Sequence, residues 1–420
     1  MIAWLLTGGL RSIIAVVVVF MVLVTIHEFG HFIVAKKAGV LVPRFAVGFG
    51  PVLFRFGKGE TEYSIRLFPL GGYVMLAGEM PQDQLFKMGE TLSVHLNDAQ
   101  EITEISDPQG LPDGLQGELK QVDMQQKYTM ALQTAEGVQT YQIARRAFLI
   151  NGKDKIPLAP PDRQMYQKPL LARMAIVLAG PFMNVVLTMV LFAIVVGVIG
   201  APQNPPAISS VVPNSPAASA GLHSGDVFEA VNGQSMATWN QFVVAIQGSP
   251  DKTVKLSVER SGRILSVPVR PIKDAQGFGF IGVAPVTVHG AGMAITGGVE
   301  QTWSYTQLIF DALGNLFTHK NAFVKDMGGP VKIVAVIGQQ AQQGLLNLVN
   351  LTAILSLNLA IFNLLPIPAL DGSRFLFMLV EGIRGRPIDP RKEYMVHVVG
   401  FAILILFTVF RTYLDVTQMF

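Results

Sequence analysis

Between Met174 and Gly200 the chain carries no charged side chain. A bilayer's hydrocarbon core takes about 20 mainly apolar residues as helix. A run of this length is therefore a membrane span or a helix apolar on every face. Other stretches repeat the pattern. Ser12–Ala35 has His27, Glu28 and His31 as its ionisable residues. The uncharged stretch Ile333–Leu370 holds a span best placed at Leu345–Leu365. Tyr394–Phe410 is shorter and ended by Arg411. Half the residues are hydrophobic and 15% are charged, against about 25% charged in an ordinary soluble domain. That balance excludes a soluble enzyme and a disordered chain. The first span lacks a small-residue cleavage site and has polar residues inside it, so it reads as retained and not as a signal peptide.

Lys and Arg in the flanks set the direction. Lys36 and Lys37 follow the first span. Lys153, Lys155, Arg163, Lys168 and Arg173 precede the second. Arg384, Arg386, Arg391 and Lys392 lie between the third and fourth, whereas residues 201–250 contain neither Lys nor Arg. The expected fold class is a multi-pass α-helical membrane protein with four transmembrane helices, in the bacterial cytoplasmic membrane, with both termini extracytoplasmic. The net charge of +3, with no concentrated basic run, leaves no case for a nucleic-acid partner. The pI near 9.0 fits loop cations beside a lipid bilayer.

The expected order is a first span in residues 1–35 and a membrane-associated β region in 36–78. A cytoplasmic insert fills 79–170, and the second span 171–200. A β-rich module occupies 203–286, and an amphipathic juxtamembrane segment 287–343. The third span is 344–371, a cytoplasmic loop 372–393, and the fourth span 394–411. In the β region, Phe45–Gly50, Val52–Phe56, Glu62–Leu67 and Tyr73–Ala77 are short aromatic-rich runs separated by glycines. They form either a small surface hairpin or a sheet that dips toward the membrane and offers an edge strand to a peptide. The insert is polar, with one hairpin signal at Tyr141–Ile150 and Asn151-Gly152. Residues 203–286 resemble an extracytoplasmic PDZ domain of the bacterial, circularly permuted kind. The resemblance rests on Ser215-Pro216-Ala217, Ala220-Gly221-Leu222, Gly225-Asp226 and Val231-Asn232-Gly233. Gly279–Val283 is a weaker match to its peptide-carboxylate loop.

His27-Glu28-Phe29-Gly30-His31 is an H-E-x-x-H motif on a predicted helix. A spacing of four puts both imidazoles on one face, so both can bind one Zn²⁺. Glu28 can reach metal-bound water as a general base. The chain has no cysteine, so any further ligand is His, Asp or Glu. Ionisable residues inside a span are costly and mark function. Catalytic zinc commonly takes three protein ligands and a water. Asp371 fits as the third by depth: the first and third spans both enter from outside, and Asp371 ends the third near the inner face. The alternative is a plain helix-end aspartate. Pro366 and Pro368 break regular helix just before it, as suits backbone lining a polar cavity. Asn363 serves either a substrate backbone or oxyanion, or an interhelical hydrogen bond. His95, His223, His289, His319 and His397 lack partners at metal spacing. No phosphate-binding G-x-x-x-x-G-K-[ST] loop is present.

Together these residues resemble the site-2 protease family of intramembrane zinc metalloproteases, in its bacterial RseP/RasP branch. The resemblance rests on His27–His31, Ala179-Gly180-Pro181 with Asn184, and Asn363 through Asp371-Gly372. Gly48–Pro51 and Phe68–Tyr73 add to it. It implies His27, His31 and Asp371 as zinc ligands, Glu28 and Asn363 as catalytic residues, and substrate contacts by Gly71, Gly72, Asn363 and Pro366. It further implies cleavage within single-span membrane proteins, such as pre-cleaved anti-sigma factors or remnant signal peptides, in regulated intramembrane proteolysis. One PDZ module and the insert at 80–165 match the RasP-like members of Gram-positive bacteria and not the two-PDZ arrangement. Two rivals are weaker. A catalytically inactive PDZ scaffold has no use for an intact ligand set. A zinc transporter would carry ligating residues along several spans, and the second and fourth offer almost none.

Overall fold

The computed structural model of the chain describes residues 9–79, 82–152, 154–274, 277–318 and 329–417. Lys153 and His319, named above, lie outside them. The chain divides into two units, residues 1–188 with 305–420, and residues 189–304.

The first unit is built on apolar helices, one of which runs on past residue 188. α1 (Gly9–Lys37), α2 (Leu170–Ile199, the helix that runs on), α7 (Leu345–Leu364) and the larger part of α9 (Pro390–Thr417) are each long and apolar enough to cross a membrane. The fourth is longer than the sequence suggests, because helix continues on both sides of Tyr394–Phe410. α6 (Pro330–Gln343) packs Ile337 and Ala341 against Ala15, Val19 and Leu23 of α1. The short helix α8 (Asp371–Arg384) follows α7 after an irregular turn.

The β region consists of two long strands, β1 (Arg44–Lys58) and β2 (Thr61–Met75). Their pairing still produces four sheet segments. Phe45 stands opposite Val74 on one side and Tyr63 on the other, while Arg55 and Phe56 pair back onto Ser64 and Tyr63. Of the glycines expected to separate strands, Gly59 lies in the turn between β1 and β2, and the others sit inside the strands. Gly48, Gly50 and Gly71 take positive φ values of 88°, 84° and 123°, which let a strand bend without ending. Phe49, Leu53, Phe54, Ile65 and Phe68 remain exposed, an apolar surface of the kind that marks interaction with membrane or protein.

The insert departs most from expectation. It is a six-stranded sheet in the order β4-β3-β5-β6-β7-β8, and β4 also pairs with β7. The strands are β3 (Thr91–Leu96), β4 (Ile102–Ser106), β5 (Leu115–Asp123), β6 (Thr129–Thr134), β7 (Gly137–Asn151) and β8 (Asp154–Pro157). The extra pairing closes the sheet around Val94, Ile102, Ile105, Leu119, Met130, Leu132 and Ile143. Arg44 Nη2 and Arg55 Nη1 both bond Asp154, at 2.7 and 3.0 Å, fastening this sheet to β1.

In the second unit, α3 (Pro216–Ser219) and α4 (Trp239–Gln247) pack with a four-stranded sheet. Its order is Gln234–Ser235, Val227–Val231, Val254–Arg260, Arg263–Val269. Ser215 Oγ and Thr238 Oγ1 cap the two helices. Asn232 and Gly233 both adopt positive φ, at 51° and 84°, as a type I′ turn requires. α5 (Ala291–Thr318) follows.

Asp226 is buried in this unit. It accepts from Arg260 Nε at 2.6 Å, Arg260 Nη2 at 2.7 Å and His223 N at 2.9 Å. Burial alone raises a carboxyl, but the Arg260 and backbone bonds outweigh it and hold Asp226 below the ordinary range. A depressed carboxyl contributes stability above its unfolded value near pH 4, and that stability is lost as pH falls further. Protection of residues 208–260 against hydrogen exchange, relative to the intrinsic rate at each pH, should therefore fall below about pH 4, and Asp226→Asn should flatten that dependence. An unchanged acid limb in the variant contradicts the assignment.

Candidate active site

α1 carries His27 and His31 one turn apart, with ring centroids 4.9 Å apart and planes at 81°. Two glycines make room for them. Gly30 packs directly on the Ala179 carbonyl of α2, where no side chain fits. Gly180 faces the rings themselves: a Cβ there would land on His31 Nε2 and 2.9 Å from His27 Cε1. Pro181 follows inside α2, where it has no N–H to continue the helical ladder.

Asp371 arrives from the other end of the chain. The turn Pro366–Leu370 stops α7 and starts α8, with Ala369 at φ +80°. Ala369 N donates to His397 Nδ1 at 3.1 Å, and Ser373 Oγ donates to Leu370 O at 2.8 Å. Gly372 sits against the carbonyls of Leu364 and Leu365, leaving no space for a Cβ. The carboxylate thus stands in the first turn of α8, at the positive end of its dipole. Ion pairs fasten α8 on two sides, Arg173 of α2 with Glu381 and Arg374 with Glu79 beyond β2.

The three side chains converge. His27 Nε2 and His31 Nε2 lie 3.2 and 3.4 Å from Asp371 Oδ2, and 3.3 Å from each other. Ligands about 2.0–2.1 Å from a tetrahedral zinc ion stand roughly 3.3–3.4 Å apart, so this triangle has ligand dimensions. Asp371 Oδ2 is buried without a hydrogen bond, a costly condition unless a cation faces it. His31 Nδ1 is 2.8 Å from Ile176 O. A carbonyl only accepts, so Nδ1 carries the proton and Nε2 keeps its lone pair. Two imidazoles and a carboxylate on these terms fit zinc.

The remaining candidates spread around this triangle. Glu28 follows His27 on α1. A Cβ on Gly72 would stand 3.4 Å from Glu28 Cγ and 2.9 Å from Val24 Cγ1, so the Gly72 backbone runs along that turn of α1. Gly71 lies against the Phe49 ring. Asn363 is half-buried on the last turn of α7 and makes no side-chain hydrogen bond among the described residues, while Pro366 is exposed. Gly180, His397 and the Ile176 carbonyl had no derivation from sequence. Gly180 and Asn184 appeared there through family resemblance alone.

Peptidase family M50 matches residues 15–407. The chain belongs to that family and is a zinc metalloprotease of the membrane. The zinc metalloprotease RasP of Geobacillus kaustophilus is 38% identical over 98% of this chain and 99% of its own. The regulator of sigma-W protease RasP of Bacillus subtilis is 36% identical over 98% and 99%. The probable protease eep of Enterococcus faecalis is 35% identical over 98% and 100%. Among solved structures, the PDZ domain of the SdrC-like protein from Listeria innocua is 26% identical, covering 20% of this chain and 97% of that one, with a TM-score of 0.19.

Gly180→Val should abolish zinc retention, because its side chain must displace both rings. Metal analysis of the purified protein, with helix content checked by circular dichroism, tests this. Wild-type zinc in a folded variant contradicts the geometry.

Proposed function

We propose that the chain is an intramembrane endopeptidase in which His27, His31 and Asp371 hold zinc and Glu28 is the general base. Its substrates are single-span membrane proteins, cut within their membrane segments. The observation that carries this is the triangle of 3.2, 3.3 and 3.4 Å around a buried carboxylate oxygen without a hydrogen bond. Bound zinc supplies a Lewis acid for the scissile carbonyl and a water of lowered pKa.

The chain's own residues do the rest. A helical peptide bond is shielded by its neighbours, so the substrate must unwind before cleavage. Gly71–Tyr73 belongs to an edge of the β1–β2 sheet, and an extended peptide can add to such an edge through backbone hydrogen bonds. Gly72 lies beside Glu28, so that edge delivers a peptide backbone to the base. Glu28 takes a proton from the attacking water and returns it to the leaving nitrogen. Asn363, half-buried with its amide unengaged, and the broken backbone at Pro366 hold the substrate or its developing oxyanion. The name of the Bacillus subtilis relative supports anti-sigma factors as substrates. Remnant signal peptides share the same single-span chemistry.

The flanking charges support an orientation with residues 36–173 in the cytoplasm, residues 201–340 outside and both termini extracytoplasmic. The PDZ-like unit would then meet substrate on the outer side.

Glu28→Gln should keep its zinc while losing at least 10²–10⁴-fold of wild-type, chelator-sensitive cleavage of a tagged single-span substrate. Near-wild-type cleavage in that variant would remove Glu28 from the mechanism. Orientation has its own test, since the chain has no cysteine. Ser261→Cys should react with a membrane-impermeant maleimide in intact cells, and Glu136→Cys after the membrane is opened. The reverse pattern inverts the topology.

A further inference from the structure

We propose that Asn184 is a positioning residue of the metal site: its side-chain oxygen accepts the Nδ1–H of His27 and so selects the tautomer that presents Nε2 to zinc. This rests on the assignment of His27 as a ligand made above.

Asn184 is fully buried on α2, three residues beyond Pro181. Its Nδ2 lies 3.2 Å from His27 Nδ1, and its Oδ1 is buried without a partner. The two ends of a carboxamide are nearly the same size, and half a turn about its terminal bond exchanges them. The ring's proton decides which end faces it. An imidazole that gives Nε2 to a metal carries its proton on Nδ1 and must donate it.

His31 meets that demand at the Ile176 carbonyl, 2.8 Å away. At His27 Nδ1 the partner among the described residues is Asn184. A ligand-competent His27 therefore draws Oδ1 toward itself, and the orphaned oxygen becomes paired.

The residue is well fixed for this task. Its own carbonyl accepts from Thr188 Oγ1 at 2.9 Å and from Ser356 Oγ of α7 at 2.8 Å. Thr188 Oγ1 also reaches Ala353 O at 3.2 Å. All three side chains are buried. The carboxamide is thus held where α1, α2 and α7 meet, and its rotation is its remaining freedom.

The test measures zinc affinity by chelator competition on the full-length protein, together with thermal unfolding after metal removal. Asn184→Leu keeps the volume and removes the acceptor. It should weaken zinc binding 10–100-fold, the usual cost of losing such a partner. Asn184→Asp keeps an acceptor, and should bind zinc at least as tightly as wild type. Two variants that both bind like wild type, or both weaken equally, overturn acceptance by Asn184. A His27→Ala control with wild-type affinity overturns the ligand assignment itself.

Discussion

Everything in the first unit follows from placing two imidazoles and a carboxylate within 3.4 Å of one another among apolar helices. Such groups are expensive there, and they persist only when each polar atom has a partner. His31 Nδ1 has the Ile176 carbonyl and His27 Nδ1 has Asn184. The buried oxygen of Asp371 has no hydrogen bond, and that imbalance points to a cation. Gly30 and Gly180 serve the same end. They let α1 and α2 approach until backbone and imidazole touch, a contact that any larger side chain would prevent.

The third ligand needs a different device, because a helix running on from α7 would leave Asp371 to packing alone. Pro366 and Pro368 stop α7, Ala369 turns with positive φ, and α8 restarts with the carboxylate at its first residue. His397 accepts the Ala369 N–H, and the pairs Arg173–Glu381 and Arg374–Glu79 hold α8 from two sides. The backbone between α7 and α8 is left outside regular helix, an arrangement that a membrane tolerates where it lines a polar cavity.

The parts of this arrangement that depend on short-range spacing could be read from the sequence. A spacing of four from one histidine to the next places two rings on one face, and the long apolar runs located α1, α2 and α7 closely. Asp371 was reached by depth, since spans that enter from one side end at one level. The closed sheet of the insert was hidden because its strands alternate: in Leu115–Asp123, buried Gly117, Leu119 and Val122 are separated by polar residues. No continuous apolar run announces such a core. The roles of Gly180, Asn184 and His397 arise from what faces them across a helix pair or a turn. No spacing along one segment encodes that.

Zinc-edge X-ray absorption of the purified, active protein tests the central claim most directly. The account predicts two imidazole rings and oxygen donors at about 2.0–2.1 Å, with one imidazole lost in His31→Ala and altered oxygen coordination in Asp371→Ala. A site with fewer than two imidazoles, or a spectrum indifferent to both substitutions, would contradict it.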